Sequence, residues 1–264
     1  MRPSDRPDTP TLIAVSLLVG LLGSLIHEGL GHAGLALALG ASQVSIGSAV
    51  MNYDEQSVGE LGRRLIALAG PLASAAQGVV GLTALRRTPT IGTAWYFWWL
   101  LGHTGLFAAA GYLLALSFAP FGDIDAALRD LPLELLWRTG STLLGAFLAY
   151  RAMVHAALTL SAHLPDDAGE RCNWTRRLTL IPYLLVGLVA MLATLAGTRD
   201  LFLTLASAGA ASFGSGILLV WVNFVLPRLR RLPPPGEPLS VPRTPSWLLI
   251  GGAALLAWVW LASV

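Results

Sequence analysis

The chain has 264 residues, of which 55% are hydrophobic and 12% charged, with a mean hydropathy of +0.65. A soluble domain carries charge on about a quarter of its residues, so the supply here is too small to coat a water-facing surface, and an ordinary cytosolic enzyme is excluded. Disorder and a coiled coil are excluded by the same apolar bias, and a disulfide framework by the single cysteine, Cys172. The basic residues are all arginine, 17 of them, set in small groups between apolar segments. That pattern belongs to membrane topology rather than nucleic-acid binding, despite a net charge of +2 and a pI near 9.0. The expected surroundings are a lipid bilayer, with no nucleic acid as partner.

Crossing about 30 Å of hydrocarbon takes roughly 20 mainly apolar residues in a helix. That ruler marks six or seven spans, at residues 11–39, 61–85, 91–119, 131–160, 178–196, 201–226 and 247–264. The runs are long and lack the alternation of a membrane barrel, so each reads as helix. The third opens on Trp95, Tyr96, Phe97, Trp98 and Trp99, an interfacial aromatic belt by composition. The fourth is the least regular, because it carries Glu134, Arg138 and Arg151. After the first span, the alternation of Val44, Ile46, Ser48 and Val50 suits a small hairpin beside the bilayer. Residues 161–177 read as a polar connection. The segment 230–245, with Pro233, Pro234, Pro235, Pro238, Pro242 and Pro245, reads as a stiff linker.

The amino terminus, MRPSDRPDTP before an apolar run, has the layout of a signal peptide, but the run continues through His27, Glu28 and His32. It therefore reads as a first membrane span. The expected organisation is a tail over 1–10, a three-helix core over 11–130, further membrane helices over 131–229, a linker over 230–245 and a last helix over 246–264. The fold class is an all-α polytopic integral membrane helix bundle of about six or seven spans.

The most informative residues are His27-Glu28-Gly29-Leu30-Gly31-His32, well inside the first span. A carboxylate at the centre of a membrane helix costs about 2.5 to 3.5 kcal/mol even on the lenient insertion scale, so intramembrane Glu and His are functional candidates. One reading is a polar contact with a neighbouring helix. The other is chemical, since two imidazoles around a carboxylate are the ligand and base set of a zinc hydrolase. His27 and His32 would then be neutral ligands, and Glu28 the general base acting on water at the open position. The usual HExxH spacing separates the histidines by about 40° around an ideal helix, whereas the five-residue spacing here separates them by about 140°. A π-bulge would bring the rings back together, and Gly29 and Gly31 ease such a distortion. The segment resembles the HExxxH zinc motif of the dipeptidyl peptidase III family.

Two further segments follow in order. Ala69-Gly70-Pro71 lies in the second span, and Ala119-Pro120-Phe121-Gly122-Asp123-Ile124-Asp125 ends the third. With the His27–His32 motif, this order resembles the site-2 protease family of intramembrane zinc metalloproteases, over about residues 20 to 130. That resemblance implies a Zn2+ site completed by an aspartate, which is Asp123 on the Gly-Asp pattern of divergent relatives or Asp125 counted from Pro120. Either aspartate also suits a helix cap. The resemblance implies hydrolysis of a peptide bond within or next to the bilayer, with a membrane-protein substrate. The alternative is a catalytically inactive relative, a membrane scaffold or a small-solute or proton-coupled transporter using Glu28 as a relay.

His103, twenty residues before Asp123, reads as a helix-packing residue, and His163, Asp166, Asp167, Glu170 and Cys172 as a solvated group. With seven spans, the side of the amino terminus holds twelve arginines and the other side five, Arg63, Arg64, Arg129, Arg138 and Arg199. The positive-inside rule then places the amino terminus in the cytoplasm, the reverse of what the family resemblance implies. The composition suits a bacterial cytoplasmic membrane.

Overall fold

The apolar runs are helices in a computed structural model, which describes residues 7–47, 51–197 and 213–263 together with Phe202 and Gly209. Helix α1 covers Thr9–Ala38. Its start is set by Asp8, whose carboxylate accepts from the Thr11 backbone N–H at 3.0 Å while Pro10 occupies the first turn. Strands β1 (Ser45–Ile46) and β2 (Met51–Asn52) pair antiparallel, Ser45 opposite Asn52 and Ile46 opposite Met51, as the small hairpin expected after the first span. Helix α2 covers Glu60–Arg87 and α3 covers Thr93–Ala115. The short α4 (Asp123–Leu128) leads to α5 (Glu134–Ser161), and α6 (Ala168–Gly197), α7 (Ser215–Val225) and α8 (Pro245–Ser263) follow.

Six of these helices are long and apolar enough to cross a membrane, so the chain is a polytopic all-α bundle. Helix α7 is shorter, even with the 3₁₀ turn Leu226–Arg228 that continues it. The first half of its expected span, with Arg2, Arg6, Ser48, Val50, Arg199 and Val264, lies outside the described residues. Two expected boundaries move. The third span ends at Ala115 rather than 119, and α6 begins at Ala168, inside the expected polar connection. The cause of the second shift is Asp167, which accepts the Glu170 N–H on its carboxylate and the Arg171 N–H on its carbonyl, starting a polar first turn.

Successive helices α1, α2, α3, α5 and α6 alternate in direction, and α8 lies beside α1 in the same direction, with Gly251 against Ala14 and Gly20 against Trp258. Helices α2 and α3 come together backbone to backbone. A methyl group built on Gly81 would stand 2.6 Å from the Gly102 Cα, and one on Gly105 2.7 Å from the Ser74 carbonyl oxygen. Such small-residue seams are how apolar helices associate where no hydrophobic force separates them from lipid.

The proline-rich segment is a docked strap rather than a spacer. Gly236 donates its N–H to the Ala162 carbonyl, Leu239 to His163 and Ser240 to Ile91, while Val241 accepts from Asp8. Leu239 and Val241 are buried against the helix ends. The strap therefore ties together the starts of α1, α3 and α8 and the end of α5, all on the arginine-rich side.

Replacing Gly81 by leucine should lower the thermal unfolding midpoint in detergent, by overpacking worth about 1–3 kcal/mol. Gly252→Leu, where nothing lies within 4 Å, should leave the midpoint unchanged.

Candidate metal centre

Across Leu25–Ala33, α1 widens into π-helix. The extra residue in that turn compensates the five-residue spacing, and the His27 and His32 Nε2 atoms stand 3.2 Å apart. Both are buried. Asp123, the first residue of α4, brings its Oδ2 to 3.1 Å from His27 Nε2 and 3.3 Å from His32 Nε2. These three side chains form a group able to hold a metal ion. The spacing suits one, since tetrahedral donors at zinc bond lengths of about 2.0–2.1 Å stand about 3.3 Å apart.

The outer nitrogens fix how the rings can be used. His32 Nδ1 lies 2.7 Å from the Ile66 carbonyl oxygen, which can only accept, so the proton of a neutral ring sits on Nδ1 and the Nε2 lone pair faces the centre. His27 Nδ1 lies 2.9 Å from Ser74 Oγ. Partners of this kind orient metal-bound histidines and raise their basicity. Tyr112 packs on His27 with ring centroids 4.8 Å apart.

Helix α2 is shaped to receive this turn of α1. A methyl on Gly31 would lie 2.7 Å from the Gly70 Cα and 2.8 Å from the Ala69 carbonyl oxygen. A methyl on Gly70 would overlap His32 Nε2 and sit 2.7 Å from His27 Nε2. The Ala69-Gly70-Pro71 segment thus supplies the empty space in which the two imidazoles meet. Glu28 lies at the same level, beside the Met51 backbone of the hairpin.

Asp125 is not part of the cluster. Arg138 Nη2 donates to its Oδ1 at 2.7 Å and Arg129 pairs with its other oxygen, while Arg138 also bonds the Ser117 carbonyl and Glu134. The alternative that Asp125 is the third ligand is therefore set aside, since its oxygens are already committed to guanidinium groups. Its role is to anchor α4, two residues from Asp123. Burial pushes the Asp125 carboxyl up, but the hydrogen bonds from Arg138 and Arg129 outweigh it and hold the group below its ordinary value of 3.8. This network also explains Arg138 and Glu134 in the irregular fourth span.

The other histidines lie elsewhere. His103 is wholly buried, bonded to the Trp99 carbonyl through Nδ1 and to His155 Nδ1 at 3.0 Å through Nε2, a contact between α3 and α5. His163 bonds the Glu237 carbonyl and holds the strap. Ser74, the Ile66 carbonyl and Arg138 had no signal as site residues in the sequence, because each acts across a helix contact.

Two spaces meet at the cluster. On the side of the hairpin, an open vestibule of about 930 Å³ reaches Glu28, His32 and Asp123 past Tyr53, Arg63 and Arg129. On the other side, deeper in the bundle, an apolar cavity touches His27 and Glu28. No family model, curated protein or solved structure matches this chain at a significant level.

Because the Asp125 carboxyl is held low in the fold, its contribution is complete above pH 3.8 and lost as pH falls through the lower folded value. Unfolding midpoints should therefore drop below about pH 4 in the wild type, and by less in Asp125→Asn. Arg138→Met should cost several kcal/mol, about 3–5 when one partner of a buried pair is removed, and adding Asp125→Leu should recover part of that loss.

Proposed function

We propose that the protein is an integral membrane zinc metallopeptidase that hydrolyses a peptide bond within or next to the bilayer, similar in its centre to the site-2 proteases. The observation that carries the proposal is the convergence of two Nε2 atoms and one carboxylate oxygen within 3.3 Å of one another, beside the carboxyl side chain of Glu28, inside an apolar bundle. His27, His32 and Asp123 would hold the metal. Zinc bound there would supply Lewis acidity toward water and the scissile carbonyl.

The rest of the chemistry falls to the chain. Glu28 accepts the proton of the attacking water and returns it to the departing amine, so that hydroxyl ends on the carbonyl carbon and the proton on nitrogen. The Ile66 carbonyl and Ser74 hold the two imidazoles in register. Water reaches Glu28 through the vestibule, whose rim of Glu55, Glu60, Arg63 and Arg64 is polar. The substrate on this reading is another membrane protein, by the family resemblance.

The orientation follows the arginines. Arg86, Arg87, Arg171, Arg176, Arg177, Arg228, Arg230, Arg231 and Arg243 lie at the end of the bundle opposite the vestibule. In a bacterial cytoplasmic membrane the positive-inside rule puts that end in the cytoplasm and opens the vestibule outward, the reverse of the family arrangement. Cys172 is exposed on the arginine-rich side. An impermeant maleimide should leave it unlabelled in intact spheroplasts and label it after permeabilisation; labelling in intact spheroplasts would reverse the orientation.

Natively purified protein should contain about one zinc per chain. His27→Ala, His32→Ala and Asp123→Ala should each lose it by elemental analysis. Glu28→Gln should keep the metal and lose hydrolysis by about 10² to 10⁴-fold. Native protein free of zinc would overturn the proposal.

A further inference from the structure

The apolar cavity behind the cluster has a volume of about 160 Å³. Its walls come from six helices, through Val19 and Gly23 of α1, Ser74 of α2, Phe107 of α3, Val186 of α6, Leu219 of α7 and Trp258 of α8. Three of the lining polar groups are bonded within the protein. Ser74 is bonded to His27, Gln77 Nε2 donates to the Leu101 carbonyl at 3.0 Å, and Thr104 Oγ1 donates to the Leu100 carbonyl at 2.8 Å. What faces the space is therefore mainly hydrocarbon. An engineered apolar cavity of about 150 Å³ takes up benzene, so this space has room for a single large apolar side chain.

Position decides what that side chain belongs to. Glu28 and Tyr112 line both this cavity and the vestibule. A polypeptide entering through the vestibule, with a carbonyl at the His27, His32 and Asp123 cluster, has its neighbouring residue at the cavity mouth. Resting on the metallopeptidase reading above, we infer that the cavity is a specificity subsite that receives one phenylalanine- or leucine-sized side chain flanking the scissile bond. Helices α6, α7 and α8, outside the metal-binding core, then have a defined task, since they build the far wall and set the size of residue accepted.

Gly23 offers a clean probe. A methyl group built there meets only Gln77 side-chain atoms, at 3.9 and 4.0 Å, so a larger side chain at this position grows into the cavity rather than into protein. The experiment uses the full-length zinc-loaded protein in detergent with a library of single-span peptides, the cleavage sites being mapped by mass spectrometry. Wild type should cut next to Phe, Leu or Met on one fixed side of the scissile bond. Gly23→Leu should keep about one zinc per chain and shift the Phe-to-Ala preference by at least about tenfold toward Ala, within the range that filling an apolar pocket produces. In metal-free protein, fluorobenzene observed by 19F NMR should bind saturably to wild type and not to Gly23→Leu. Should Gly23→Leu fail to fold, Gly23→Ala reads the same shift at smaller size.

Zinc binding and cleavage with a size preference that neither variant moves would overturn the subsite and leave the metallopeptidase standing. Fluorobenzene binding equally to wild type and variant would overturn the subsite as well. A wild type that holds no zinc and cuts no peptide would overturn the metallopeptidase reading and the subsite with it.

Discussion

The widened turn of α1 against Gly70 of α2 is the contact from which the site is built. Two histidines five residues apart point to different faces of a regular helix, and the π-turn at Leu25–Ala33 returns both to one face at the expense of regular backbone hydrogen bonding. Packing offsets that expense. Gly31 lets the α1 backbone touch Ala69 and Gly70, the Ile66 carbonyl takes the His32 N–H, and the Gly70 face leaves room for both imidazoles. Neither helix has a site alone, because one carries the donors and the other the space they meet in.

Two aspartates of this charge-poor chain take different tasks at the same end of the bundle. Asp123 joins the histidines, while Asp125, two residues on, is held by Arg138 and Arg129. The two aspartates find different partners, Asp123 two imidazoles and Asp125 two guanidinium groups. Arg138 fixes α4 to α5, Arg129 closes the end of α4 onto the same carboxylate, and the helix so held presents Asp123 to α1. Arg138, inside an apolar span, is thereby a structural part of the site's scaffold although it touches none of the proposed ligands.

Water and hydrocarbon meet at Glu28 and Tyr112. The vestibule with its ion-pairing rim is a polar approach to the cluster, and the cavity beyond is lined chiefly by carbon. On the proposed reading the first would admit the nucleophile and the second the apolar residue beside the scissile bond. The far helices line the second space, and the strap, bonded to Asp8 before α1 and leading into α8, holds the starts of those two helices together.

The sequence by itself determined the membrane bundle, most of its helix ends, the hairpin and the juxtaposition of His27 with His32, because apolar length, capping residues and ionisable groups in a span are all local properties. It also pointed to the π-turn, since five-residue spacing cannot bring both rings to one face otherwise. It preferred Asp123 on the Gly-Asp pattern but kept Asp125 as an alternative, because nothing local tells which one an arginine thirteen residues away will claim. It read the proline segment as a spacer and the start of α6 as a loop, since the partners of Gly236 and Leu239 lie in distant turns and the cap at Asp167 is a matter of side-chain geometry. Tertiary structure alone decided the Gly70 cradle, the choice of aspartate and the apolar cavity, because each is a relation between helices far apart in sequence and exists only once they pack.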